Sequence, residues 1–258
     1  MIDLEALRGV LLVFGLSLTR LTAACSVTPF MARQLIPGQA RNSIIVAWGL
    51  IVYPIVAPTF SLEDSSMIVI ISIVAKEIFL GILIGFMASK MFWIAMSVGF
   101  FIDNQRGASM ASVFDPTAGE QTSPVGQFLQ QAMVAVFYSA GGLLVFLGGV
   151  FESYLIWPID SFYPTINQAF PMFFLDMVDD VMRTIVVLAA PAIIAMFLAT
   201  FGLGLMNRFA PQLNVFFLAM PVKSMIALIV LILYLPYLLL LLQREYANPE
   251  VLYELFRI

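Results

Sequence analysis

The chain has 258 residues, 62% of them hydrophobic and 11% charged, with a formal net charge of −4. A soluble domain carries roughly 45–50% apolar and roughly 25% charged residues, so a water-soluble fold of this composition would be mostly apolar surface. A soluble enzyme, a secreted disulfide scaffold and a disordered chain are excluded, and the class predicted is all-α: a polytopic membrane protein of about six hydrophobic helices arranged as hairpins.

Taken in order, residues 9–32 form an apolar run interrupted only by Arg20. It lacks a basic start and a small-x-small cleavage site, so it is predicted to be a retained span and not a signal peptide. Residues 42–62 carry no charge and form the second predicted span. Residues 66–102 are apolar apart from Lys76, Glu77 and Lys90. As one helix they would reach about 55 Å at about 1.5 Å per residue, well beyond a bilayer core of about 30 Å. The segment is therefore expected to break near Gly81 and Gly85 or to project from the membrane. Residues 121–151, 184–207 and 224–243 are free of charge and supply the remaining three spans. Pro54, Pro58, Pro191 and Pro236 should kink the helices that hold them. Asp176, Asp179 and Asp180 are expected in the first turn of the fifth helix, where the helix dipole favours acids.

The connecting segments alternate in sign. Arg33 and Arg41 follow the first span, Glu63 and Asp64 the second, Arg106 the third, Glu152 and Asp160 the fourth, and Arg208 and Lys223 the fifth. The positive-inside rule then places the first, third and fifth loops in the cytoplasm.

Chemistry-bearing motifs are scarce. The chain has no His and a single Cys, Cys25, so His acid–base catalysis, a thiolate metal cluster and an intrachain disulfide are all ruled out. There is no HExxH, no Gly-x-Ser-x-Gly, no Walker loop and no basic nucleic-acid footprint. No catalytic residue, metal or cofactor is expected, and the protein is predicted not to be an enzyme.

Two polar segments stand out. Asp103, Asn104, Gln105, Arg106 and Gly107 open a long connection that continues through Met110, Phe114, Asp115, Pro116, Gly119 and Glu120 to Ser123 and Pro124. Connections between helices usually take two to eight residues. This one is weakly polar and rich in turn-forming residues, which fits either a solvated surface loop or a loop folded into a protein-lined or water-filled path. Ser123 and Pro124 have the pattern of an N-cap and first helical position. The second segment, residues 207–223, spaces Arg208, Pro211, Gln212, Asn214, Pro221 and Lys223 among apolar residues. It is predicted to be a tight hairpin tip packed on other protein.

Arg20, Lys76, Glu77 and Lys90 fall inside apolar segments, at a cost of at least about 2.5 kcal/mol each near a span's centre. Lys76 and Glu77 are neighbours, about 100° apart on a helix, and are not expected to pair with one another. Partners are therefore expected from another helix or another chain, and the few partners a single bundle offers point Lys76 and Glu77 towards other subunits.

Together these features resemble the T component of the type III secretion export apparatus, whose flagellar counterpart is FliR. The resemblance covers essentially the whole chain. It is carried by Asp103-Asn104-Gln105-Arg106-Gly107 leading to Phe114-Asp115-Pro116-Thr117-Ala118-Gly119-Glu120, and by Arg208-Phe209-Ala210-Pro211-Gln212-Leu213-Asn214-Val215-Phe216 leading to Pro221-Val222-Lys223. Their spelling is closer to virulence-type injectisomes than to flagella. The resemblance implies a bacterial inner-membrane subunit, present as one copy, that joins R- and Q-type subunits in a portal for unfolded exported proteins. It also implies contact with a switch-type export subunit and with membrane lipid, and none with nucleic acid. Residues 1–175 would be an R-like part holding a plug loop at 104–123. Residues 176–258 would include a Q-like hairpin at 184–243. The rival is a self-contained multi-pass transporter or channel, which would carry an internal repeat with a midplane substrate site.

Overall fold

A computed structural model describes residues 4–58, 67–107, 123–161, 170–209, 212 and 214–246. Among these, all regular structure is helical. The helices are α1 (Leu4–Val27), α2 (Gly38–Val56), α3 (Met67–Arg106), α4 (Pro124–Ser139), α5 (Gly142–Ile156), α6 (Phe170–Phe209) and α7 (Val215–Tyr246), with a short 3-10 turn at Pro29–Met31. Helices α1, α3, α6 and α7 are long and apolar enough to cross a membrane; α4 and α5 make a fifth span if taken as one. The chain is thus an all-α, multi-pass membrane protein.

The predicted spans shift in instructive ways. The third does not break at Gly81 or Gly85: α3 is one helix of 40 residues, about 60 Å at about 1.5 Å per residue. Both glycines are instead used for packing, as described below. The predicted fourth span is interrupted at Ala140–Gly141, where Gly141 adopts φ +76° and caps α5; a left-handed backbone there favours glycine. The second span begins earlier than its charge-free stretch, so α2 includes Gln39, Arg41, Asn42 and Ser43. The fifth helix begins at Phe170, ahead of the acids expected to open it. Asp176, Asp179 and Asp180 therefore lie beyond its first turn, exposed, outside the reach of the dipole argument, which is confined to that turn. Pro54 sits within α2, Pro191 within α6, and Pro221 and Pro236 within α7.

Two compact units are present. The first comprises Met1–Lys90, Ala140–Phe174 and Tyr246–Ile258, the second Met91–Ser139 and Leu175–Glu245. In the first, α1 packs on α2 and on the N-terminal half of α3. Gly81 and Gly85, four residues apart, let the two backbones approach. A Cβ on Gly81 would meet the Arg20 carbonyl and stand 2.6 Å from the Ala23 Cβ, and one on Gly85 would stand 2.5 Å from the Ala24 carbonyl oxygen. Close approach through small residues four apart is how membrane helices gain van der Waals contact where hydrocarbon supplies no hydrophobic drive. One turn on, Ser89 donates to the Val27 carbonyl at 3.3 Å and to the Gly85 carbonyl at 2.5 Å. Phe30 meets Phe146 edge-on, ring centroids 5.1 Å apart, beside buried Leu21, Ala24, Cys25 and Val150.

In the second unit the C-terminal half of α3 packs on α4 by the same device. A Cβ on Gly99 would collide with the Gly126 backbone and stand 2.6 Å from the Val125 carbonyl carbon. Phe92 and Phe137 stack edge-on at 5.3 Å, and Met91, Ile94, Ala95, Val98, Leu129 and Met133 are buried with them.

Candidate functional site

The intramembrane charges form a buried network inside the first unit. Arg20 and Glu77 are both fully buried. The guanidinium grips the carboxylate in a fork, Nε to Oε2 at 2.7 Å and Nη2 to Oε1 at 3.0 Å. Its remaining donors reach Ser153 Oγ at 2.9 Å and the Trp157 carbonyl at 2.9 Å, and its face lies 4.0 Å from the Tyr154 ring centroid. The Tyr154 hydroxyl donates to the Ser17 carbonyl at 2.8 Å. One arginine thus ties α1, α3 and the end of α5. A planar donor fork stacked on an aromatic ring is a task lysine cannot take over.

Lys76 completes the cluster. Its Nζ stands 3.1 Å from Glu77 Oε1 and donates to the carbonyls of Pro158, Ile159 and Ser161 at 3.0, 2.9 and 3.1 Å. One expectation is corrected here: Lys76 and Glu77 do pair, the ammonium standing 3.1 Å from the neighbouring carboxylate. One carboxylate serves two cations, Arg20 and Lys76. Ser153, Tyr154 and Trp157 are not singled out by the sequence; Trp157 is the residue after α5 and meets Arg20 through its carbonyl, which any residue would supply. Lys90 is buried as well.

The lysine clamp gives a local prediction. Lys76→Met should leave the Arg20–Glu77 fork in place but release the three carbonyls after α5. Faster hydrogen exchange across 157–161, with little change in α1, is the expected result.

The second cluster lies where α3 ends and α4 begins. Asp103 is 3% exposed. Its Oδ2 accepts from the Ser123 hydroxyl at 2.7 Å and from the Val125 amide at 3.0 Å, and Arg106 Nη2 stands 2.7 Å from Oδ1. Ser123 Oγ accepts from the Gly126 amide at 3.0 Å and the Ser123 carbonyl from the Gln127 amide at 2.9 Å. The N-cap read from Ser123-Pro124 is present, reinforced by a second acceptor from α3. Gly107 ends α3 with φ +92° and its amide donates to the Asn104 carbonyl at 3.1 Å; Asn104 is exposed and Gln105 half-buried. Met110, Phe114, Asp115, Pro116, Gly119 and Glu120 lie outside the described residues.

The 207–223 segment is shorter as a tip than expected. Helix α7 starts at Val215, so Pro221 and Lys223 belong to a helix and not to the turn. Arg208 closes α6 and is exposed, as are Gln212, Asn214 and Pro221, while Lys223 is half-buried. Phe209 is 89% exposed. Pro211 lies outside the described residues.

Comparison with known proteins shows the family of the chain. Residues 11–248 match the family described as Bacterial export proteins, family 1. The chain is 44% identical over 225 residues to the Yop proteins translocation protein T of Yersinia pestis, covering 87% of this chain and 86% of that one. It is 33% identical over 210 residues to the surface presentation of antigens protein SpaR of Salmonella typhimurium, covering 80% and 76%. It is 27% identical over 220 residues to the flagellar biosynthetic protein FliR of Bacillus subtilis, covering 85% and 84%. The match to these two virulence-type relatives exceeds that to the flagellar one, in line with the injectisome spelling of the loop. The chain therefore belongs to the bacterial export protein family 1, the T/FliR family of type III export apparatus subunits in the bacterial inner membrane.

Proposed function

We propose that the chain is a non-enzymatic core subunit of the export gate, joining R- and Q-type subunits in the portal through which unfolded proteins enter the export path. One copy would serve each gate, with the 104–123 loop lying in the closed channel and residues 184–243 acting as a Q-like hairpin beside an R-like part ending at 175. The 207–223 segment would meet cytoplasmic export components, among them a switch-type export subunit, or the adjacent Q-type hairpin. The observation that carries this reading is the poor burial of the C-terminal helices. Only 28% of the most apolar stretch of α6 and 22% of that of α7 is buried, and Phe197, Phe201, Leu205, Ile232 and Leu233 are among the large apolar side chains left open. Lipid or neighbouring subunits must cover them. Expression alone in membranes tests it: aggregation without R- and Q-type subunits and a monodisperse complex with them is expected, whereas a stable monomer with its own transport activity would favour the self-contained transporter.

The exposed tip yields a further prediction. Arg208 can make forked bonds that Lys223 cannot, so Arg208→Ala should weaken secretion more than Lys223→Ala, with assembly followed by native gel. Were both residues only orientation signals, Arg208→Lys would be silent, because the rule counts positive charges irrespective of which base carries them.

A further inference from the structure

The segment between α3 and α4 leaves and returns through a single neck, and one side chain holds both of its sides. We propose that Asp103 is the positioning residue of this neck. Its carboxylate lies in the last turn of α3, beside Arg106 at 2.7 Å. From the other side it takes the Ser123 hydroxyl at 2.7 Å and the Val125 amide at 3.0 Å. A helix N-terminus leaves its first amides without intrahelical partners. Here Ser123 satisfies Gly126 and Asp103 satisfies Val125, so the cap of α4 is shared between its own N-cap residue and the preceding helix. A charged acceptor at a helix start is also favoured by the dipole.

Three further features make the neck stiff. Gly99 lies one turn before Asp103 on α3 and meets the Gly126 backbone, so the same helical face is fastened by packing and by hydrogen bonds. The carboxylate is 3% exposed, where charge-assisted bonds are stronger than in water. Beyond it, Gly107 turns the chain at φ +92°, a conformation that penalises any side chain. The chain therefore departs from α3 in one direction, four residues after the Asp103 anchor, and re-enters α4 at the residue that Asp103 binds.

The consequence for export rests on the reading of 104–123 as the channel loop. Loss of the clasp frees the loop without shortening it.

The test separates the clasp from that reading. Spin labels at Asn104 and Gln127, both exposed, with Cys25 replaced by Ala, report the neck distance in the assembled complex. The wild-type background should give one narrow peak. Asp103→Ala should lose it to a broad distribution with longer distances, and Ser123→Ala should broaden it less. Asp103→Asn, which keeps an acceptor oxygen for Ser123 and Val125, should retain most of it. A narrow, unshifted peak in Asp103→Ala would overturn the proposal, as would equal broadening in Asp103→Asn. If Asp103→Ala proves too unstable to assemble, Ser123→Ala decides alone, and an unchanged peak there would also overturn it. Ion leak through vesicles holding the same complexes addresses the loop: excision of 108–122 that leaves the leak unchanged would remove the channel-loop reading, while the distance measurement would still decide the neck.

Discussion

Glu77→Ala should be the most damaging single change in the first unit. It leaves the Arg20 guanidinium, fully buried, without the carboxylate that takes two of its donors. Breaking a buried pair from one side costs about 3–5 kcal/mol, a large share of a total stability of about 5–15 kcal/mol. Lys76 loses its carboxylate partner at the same time, so two cations would then face one another across an apolar core. Arg20→Ala should be nearly as severe, with Glu77 left to Lys76 alone. Replacing Arg20 by Met and Glu77 by Leu together should recover much of the loss, since an apolar pair of similar volume is often neutral or better. Folded yield by size exclusion in detergent, with thermal unfolding of what survives, measures this. Recovery in the double variant would show that the network's cost lies in desolvation and its value in joining α1, α3 and α5. No recovery would mean that the Lys76 ammonium, left without its carboxylate, or the Trp157 carbonyl and Ser153 hydroxyl, left without the Arg20 donors, dominate.

The glycine contacts should rank by what a Cβ would meet. Gly81→Ala and Gly85→Ala place a methyl against the backbone of α1 at Arg20 and Ala24, which has no way to yield without moving the helix. Overpacking of this kind costs about 1–3 kcal/mol, offset in part by about 1 kcal/mol of helix propensity gained over glycine. Gly49→Ala should be milder, because its first obstacle is the tip of the Leu18 side chain. Among the described residues nothing lies within 4 Å of a Cβ on Gly148, Gly202 or Gly204, so alanine there should meet no obstacle within the chain and should gain helix propensity. Thermal unfolding of the purified variants gives the order. Gly81→Ala as stable as Gly148→Ala would remove the close α1–α3 approach. A defect of Gly202→Ala seen only in the assembled complex would locate a neighbouring helix.

Composition and charge gaps were enough to expose the class of fold, because a chain with 62% hydrophobic residues has few alternatives. Helix ends were less legible. Helix α6 runs on to Phe170 through an acid-bearing stretch, since exposed acids on one face do not stop a helix. The α4–α5 interruption turns on one glycine at positive φ within an uncharged run, where hydropathy alone cannot mark it. The Ser123 N-cap was legible because capping is local, set by a side chain and amides three residues away. The partners of Arg20 were not: Glu77, Ser153 and Trp157 are distant in sequence, and only the cost of burying a charge announced that some partner must exist. For the same reason the sequence leaves open whether Lys76 and Glu77 meet another helix or another chain; within the chain, Glu77 meets Arg20 of α1. Asp103 stood in the loop motif, but its double grip on α4 depends on the α3–α4 crossing at Gly99 and Gly126, which no local pattern reveals.

The chain holds Arg20, Glu77 and Lys76 in an internal network and leaves large apolar side chains of α6 and α7 open, which the proposed subunits would cover. Native mass spectrometry of the chain purified from bacterial membranes, expressed with and without R- and Q-type subunits, tests this most directly. One copy of the chain in a defined hetero-oligomer is expected, with the Lys76→Met variant assembling as well as the wild type because its ammonium is held within the chain. A homogeneous population of the chain alone, or an assembly lost on Lys76→Met while the chain remains folded, would contradict it.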